Sequence, residues 1–277
     1  MPYTEVTFLI QPIDPWRDIL TVELAELGFE SFAESTGGMK AYVPTEKFDP
    51  SALPKLLTLR DPHVNVSWTS IEIPDRNWNA EWEKNFQPVE VGDQVRIRAD
   101  HHEAKPGFRH ELVIDPRMAF GTGHHATTRM MVQAMLELDL EGKEVCDLGC
   151  GTGVLAILAE RMGAAHCRAI DVDMNAVENA RHNVARNDCS RTVVEKGDAN
   201  ALKGNKYNAI LANIERNTLL EAMPLMADAL LPGGALLLSG FVDTDRHMLA
   251  QKAREAGLLP AERMNDGDWA LLGCRKP

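Results

Sequence analysis

The chain has 277 residues with 41 acidic and 29 basic side chains, a formal net charge of −12, 44% hydrophobic and 25% charged residues. Those proportions exclude a collagen-like rod, a coiled coil and a disordered chain, and no run reaches the roughly 18 apolar residues of a membrane-spanning helix. The acidic balance argues against general nucleic-acid binding, which needs a dense basic surface, and suits a basic partner such as a lysine-rich protein. A plain solubility role accounts for it equally well. The start, MPYTEVTFLI, has no basic segment ahead of its apolar residues, so no signal peptide is expected. Five cysteines, an odd number in a core-forming chain, suggest reduced thiols and a cytoplasmic address. Cys146 and Cys150 have no second pair and no histidine at zinc spacing, so no metal site is expected.

Residues 3–10 read as a strand. Asp14-Pro15 opens a helix whose Ile19, Leu20, Leu24 and Leu27 share a side, and Gly28 ends it. FESFAES and MKAYVP form a hairpin about Thr36-Gly37-Gly38. A shorter helix over roughly 50–60, interrupted early by Pro54, and a strand at 64–73 with Val64, Val66 and Trp68 on one face complete the order β-α-β-β-α-β. That is the ferredoxin-like α+β pattern, assigned to a recognition domain of residues 1–73. The segment 74–88 carries Trp78, Trp82 and Phe86 at spacing four, an aromatic stripe that reads as a connecting helix or, alternatively, as the lining of a binding groove. Residues 89–277 form the second domain, whose short strands VEV, QVRIR and ELVI read as a leading hairpin. From 143 on, strands EVCDL, CRAIDVD, TVVEKGD, YNAILANI, GALLLSGF and WALLGCRK alternate with helices near 152–163, 174–187, 216–231 and 243–257. That alternation predicts an α/β parallel sheet with an extra C-terminal strand.

The segment VCDLGCGTGVLAI places Gly149, Gly151 and Gly153 between a strand and a helix. Glycine allows a tight turn and close ligand approach there. The spacing G-x-G-x-G is not the G-x-G-x-x-G of a dinucleotide fold. It fits a cradle for the amino-acid part and sulfonium of S-adenosylmethionine. Asp171 ends the next strand, where a carboxylate can accept hydrogen bonds from both ribose hydroxyls; the alternative is a helix cap ahead of Met174-Asn175. Asp198, ending the third strand, can meet an adenine amine or simply close a turn.

Upstream, Gly121 and Gly123 bracket Thr122, and His124, His125, Thr127 and Thr128 open an apolar helix. Hydroxyls and backbone donors at a helix start can bind a carboxylate or ribose oxygen, and His125 either lines the site or caps the helix. The fourth strand ends in LANIERN. Asn213 there can accept a hydrogen bond from a substrate amine, with help from the Ile214 carbonyl, or can simply close the turn after the strand.

Together FGTGHHATT, DLGCGTG, IDVD and LANIERN resemble the PrmA family, methyltransferases of large-subunit ribosomal protein L-eleven, over nearly the whole chain. The resemblance implies a class I, Rossmann-like methyltransferase domain with a mainly parallel seven-stranded sheet behind a small ferredoxin-like domain. It implies S-adenosylmethionine as cofactor, with Thr128, Gly149, Asp171 and Asn213 lining its site; the glycine loop adds Gly151, and Asn213, placed to orient the amine, is the expected catalytic residue. It also implies a protein substrate recognised by the N-terminal domain and methylated on lysine ε-amines and the α-amine. Thr218-Leu219 stand where many members of the family have Pro-Leu. Three rivals stay open on sequence: a methyltransferase for another protein, nucleic acid or small molecule, a nicotinamide dehydrogenase, and a non-catalytic ribosome-assembly module. Against the first stands Ile214-Glu215-Arg216 in place of the Pro-Pro-Tyr of amide and adenine methylators.

Overall fold

A computed structural model describes residues 2–73, 87–115 and 125–277, with backbone alone at Glu262 and Arg263. The aromatic stripe Trp78, Trp82 and Phe86, and the residues Gly121, Thr122, Gly123 and His124, lie outside the described residues. The chain divides into two compact units at Trp78/Asn79.

The first unit is one four-stranded antiparallel sheet with helices on one face. Strand β1 (Tyr3–Gln11) alternates, burying Val6, Phe8 and Ile10, as period-two patterning demands. It lies between β3 (Gly38–Pro44) and β4 (Asn65–Ile73), with β2 (Ser31–Ser35) outermost beside β3. The order β2-β3-β1-β4 is the ferredoxin-like arrangement. Helix α1 (Trp16–Glu26) buries Leu20 and Leu24 and turns Ile19 outward, 41% exposed, so the apolar stripe is narrower than the sequence suggests. The single helix expected over 50–60 is two pieces, a 3-10 turn at Leu53–Lys55 and the short α2 (Leu57–Arg60). Leu56 between them is extended at φ −60°, ψ 143°, which breaks the helical hydrogen-bond ladder after Pro54. Glu23 bridges this layer: its carboxylate accepts from the Leu57 and Thr58 N–H groups at 2.6 and 3.2 Å, satisfying the start of α2.

The second unit begins with a three-stranded sheet, β5 (Val89–Val91), β6 (Val95–Arg98) and β7 (His110–Val113). The expected hairpin exists between β5 and β6, whereas β7 runs parallel to β6. A seven-stranded sheet follows, built from β8 (Glu144–Leu148), β9 (His166–Asp171), β10 (Thr192–Lys196), β11 (Tyr207–Asn213), β12 (Leu230–Val242), β13 (Leu259–Asp266) and β14 (Trp269–Arg275). Its order is β10-β9-β8-β11-β12-β14-β13, parallel except where β14 inserts antiparallel between β12 and β13. Strand β13 was not expected. Its sequence, LPAERMND, carries a proline and three charges and shows no alternation; pairing with β14 makes it a strand.

Helices cover both sheet faces. On one face α3 (Ala126–Leu136), α4 (Val154–Arg161) and α5 (Met174–Arg186) pack over a core including Met131, Val145, Ile157 and Val177. On the other, α6 (Arg216–Ala229) and α7 (Arg246–Glu255) cover Cys146, Ile210, Leu236 and Leu272. Adjacent residues Val145 and Cys146 thus serve opposite cores, as strand pleating requires. Each side holds enough buried Leu, Ile, Val and Met, at roughly 1.5–3 kcal/mol per side chain, to fix the strand order. Strand β8 is the switch point, with β9 on one side and β11 on the other. Ligands of open α/β sheets bind at the carboxyl ends of such strands, which here bring Gly149, Asp171 and Asn213 to adjacent positions. No helix among the described residues is long and apolar enough to cross a membrane, and all five cysteines are buried and unpaired.

Candidate active site

The loop after β8 is held in shape by backbone bonds. The Ile170 carbonyl accepts from the N–H groups of Gly149 and Cys150 at 2.8 and 3.0 Å, and Cys150 O accepts from Gly153 N at 2.8 Å. Gly149, Gly151 and Gly153 all have positive φ, at 75°, 53° and 78°, a region costly to residues with a side chain. Space is a second constraint. A Cβ on Gly149 would lie 2.1 Å from Cγ2 of Ile214. Glycine is needed there for turn and for room together.

Asp171 closes the loop from the neighbouring strand. Its Oδ2 accepts from Gly151 N at 2.9 Å and its Oδ1 from Asp173 N at 3.0 Å. The cap of α5 is Asp173, which accepts from Asn175 N at 3.0 Å, so Asp171 does not serve as that cap. Asp198 behaves otherwise. It caps the 3-10 turn Ala199–Leu202, taking Asn200 N at 2.9 Å and Asn200 Nδ2 at 3.1 Å; those bonds hold its carboxyl below the usual range. The turn-closing account of Asp198 is sufficient.

On the other flank, Asn213 at the end of β11 donates from Nδ2 toward Thr128 Oγ1 at 3.5 Å, a long contact between residues 85 apart. Thr128 is buried in the first turn of α3. His125 caps this helix through Thr127 N, pairs with Thr127 Oγ1 at 2.8 Å and sets its ring edge-on to Trp269, centroids 4.5 Å apart. The capping reading of His125 is the one its contacts bear out. Ile214 then turns over Gly240, whose φ is +91° and whose Cβ, if present, would sit 2.4 Å from the Ile214 carbonyl oxygen. Gly240 lies where the β12–β14 register shifts, as at a β-bulge. Gly240 and Trp269 escaped sequence reading because nothing local marks them; their roles come from strands paired across the sheet. Thr218 lies in the first turn of α6, donating to Glu215 Oε1 at 3.0 Å.

The electrostatics select the sign of a ligand. Asp147 sits beneath the loop, 1% exposed. Its Oδ2 accepts from Ala156 N at 3.2 Å, and its Oδ1 has no hydrogen-bond partner. Burial, with the charge of Asp171 adding to it, pushes this carboxyl up to about 7 against the Ala156 N–H. An N–H at the start of α4 and four in the loop are therefore spent within the protein, beside two carboxyl groups. A pyrophosphate, which dinucleotide folds seat on free N–H groups at this position, meets the wrong charge. A cationic group approaching bare glycine Cα atoms meets the right one, and the residues present fit a sulfonium cofactor. Burial raises the thiols of Cys146 and Cys150 far above their ordinary value, so neither is a nucleophile.

The family model described as ribosomal protein L11 methyltransferase (PrmA) matches residues 18–277. The chain belongs to the PrmA family. A protein named ribosomal protein L11 methyltransferase from Phocaeicola vulgatus is 42% identical over 276 residues, 98% of each chain. One of the same name from Porphyromonas gingivalis is 44% identical over 259 residues, 92% of this chain and 89% of that one. A solved structure titled ribosomal protein L11 methylase, from Lactobacillus delbrueckii subsp. bulgaricus, superposes with a TM-score of 0.63 at 25% identity, covering 69% of this chain and 100% of that one. As a PrmA member the chain is a class I methyltransferase dependent on S-adenosylmethionine. The dehydrogenase rival is thereby set aside.

Proposed function

We propose that this protein transfers methyl groups from S-adenosylmethionine to amines of ribosomal protein L11, on lysine ε-amines and the α-amine. The observation that supports it most is the match to relatives of that name over 98% of the chain, both units included. The cofactor, when bound, supplies an electrophilic methyl on a sulfonium. Gly149 and Gly151 offer it a side-chain-free wall, Asp171 takes the ribose hydroxyls on the lone pairs its two backbone donors leave, and Thr128 and Asn213 close the opposite flank. Val172 and Met174, exposed apolar side chains just past Asp171, provide a wall for the flat base.

Asn213 is proposed as the catalytic residue. Its amide nitrogen points to Thr128, leaving the amide oxygen to accept from an incoming amine and aim its lone pair. Methyl transfer needs the neutral amine, whereas a lysine amine has a pKa of about 10.4. An amide takes no proton, so the ammonium gives its proton to water before transfer, desolvation on entering the site favours the neutral form, and orientation supplies most of the acceleration.

Residues 1–73 are proposed as the recognition domain, 74–88 as linker and 89–277 as the methyltransferase domain. Residues 2–73 carry eleven acidic and five basic side chains, net −6, half the charge of the whole chain in about a quarter of its length. That complements a basic ribosomal protein, and such a substrate puts the enzyme in the cytoplasm. The test is to incubate the protein with labelled cofactor and L11 and map the label by mass spectrometry. Methyl groups on lysine and terminal amines are expected; label confined to other side chains, or none on L11, removes the assignment.

A further inference from the structure

Helix α5 carries Asn179, Asn183 and its C-cap Asn187 at four-residue spacing, all buried. Asparagine is a poor helix former, and a buried amide must find partners for both ends. Asn179 donates to Asp115 O at 3.5 Å and accepts from Asn183 Nδ2 at 3.5 Å; the other two find partners in backbone remote in sequence. Asn187 pairs with Val113 on both sides, accepting from Val113 N at 2.9 Å and donating to Val113 O at 2.7 Å. Asn183 is fully buried and does something different. Its Oδ1 accepts from Asp115 N at 2.8 Å, while its Nδ2 donates to the carbonyl of Thr152, inside the glycine loop, at 2.9 Å. One turn earlier, Ala180 backs Gly153, leaving no more than 3.2 Å to a Cβ built there.

We propose that Asn183 is a positioning residue of the cofactor site: its single amide couples the glycine loop to Asp115, so that occupancy of the loop is felt at Asp115. Thr152 lies between Gly151, which bonds Asp171, and Gly153, which starts α4. Its carbonyl direction therefore sets the loop's pitch. The amide plane of Asn183 is rigid, so a shift of the Thr152 carbonyl tilts the oxygen that holds Asp115. Val113, two residues away, hangs from Asn187, which makes no contact of this kind with the loop.

This inference rests on reading the loop as the cofactor site, and the experiment separates the two. Amide hydrogen exchange is followed in the full-length protein with and without saturating S-adenosylhomocysteine, the reaction product, and thermal shift is recorded alongside. In the wild type the product should raise the melting temperature and slow exchange at Asp115 about tenfold, with Val113 changing less than about twofold. Asn183→Asp keeps the acceptor for Asp115 and loses the donor to Thr152. It should raise the Kd for S-adenosylhomocysteine about tenfold, since a buried carbonyl is left facing a carboxylate, and abolish the response at Asp115. Asn187→Asp should lower the melting temperature comparably and leave Kd within about twofold. No melting shift in the wild type overturns the cofactor reading itself. A melting shift without a response at Asp115 overturns the coupling alone, and needs no variant to fold. Unchanged affinity in Asn183→Asp, or equal weakening in Asn187→Asp, overturns it too.

Discussion

The carboxylate of Asp171 and the N–H of Gly151 lie 2.9 Å apart, so the residue proposed to hold the ribose also holds the middle of the loop proposed to hold the methionine end. One side chain thus fixes the distance between the two halves of the proposed cofactor site. Asp171→Ala should therefore lose both functions and weaken S-adenosylmethionine binding about ten- to hundredfold, the scale of losing charge-assisted hydrogen bonds. Titration calorimetry checks this; unchanged affinity would show that the ribose rests elsewhere.

Gly149→Ala adds a methyl 2.1 Å from Cγ2 of Ile214 at a φ of +75°. The overlap should cost about 1–3 kcal/mol and the backbone region roughly 1–2 kcal/mol more, read as a lower urea midpoint. Trimming Ile214 to alanine in that background should restore the first part and not the second. Additive losses in the double-mutant cycle would mean the two residues do not meet.

Asp147 makes stability depend on pH in a defined direction. Its carboxyl is held near 7 in the folded protein, raised first by burial, against about 3.9 in an unfolded chain. Between those values the folded state binds more protons, so this group's contribution falls as pH rises from about 4 to about 7 and is level above. Asp147→Asn keeps an oxygen for Ala156 N and removes the charge. It should flatten the profile across that window and stabilise the protein at pH 8 by on the order of 2–4 kcal/mol. Urea melts at pH 5 and pH 8 decide it; a larger loss at pH 8 than at pH 5 would refute the buried-charge account.

Removing residues 1–73 should leave cofactor affinity within about twofold and abolish methylation of L11, because the acidic surface proposed to steer the substrate goes with them. In the full chain, the KM for L11 should rise as salt shortens the screening length from about 10 Å at 0.1 M to about 3 Å at 1 M. Undiminished methylation by the truncated chain would end the recognition role.

The elements most legible in the sequence were those with strong local signals. The run Val145–Leu148 followed by three spaced glycines reads as strand, turn and helix because positive φ and apolar runs are properties of neighbouring residues. Strand β13 was illegible because its strand character comes from its partner β14. The helix at 50–60 failed because periodicity does not reveal where an extended Leu56 interrupts it. Asn183 left a signal, three asparagines on one helical face, and that signal acquires meaning only when Thr152 and Asp115 are known to lie against it.

Sequence alone determined the family, the chain order of the elements and the glycine loop with its acidic companion, since each is written in short contiguous segments whose conformations are set by their own residues. Tertiary structure decided which groups meet: Asn213 with Thr128 across 85 residues, Ile214 between Gly149 and Gly240, and Asp171 on Gly151 rather than on its own helix. Those pairings follow from strand order and register, which only simultaneous burial of both sheet faces can set.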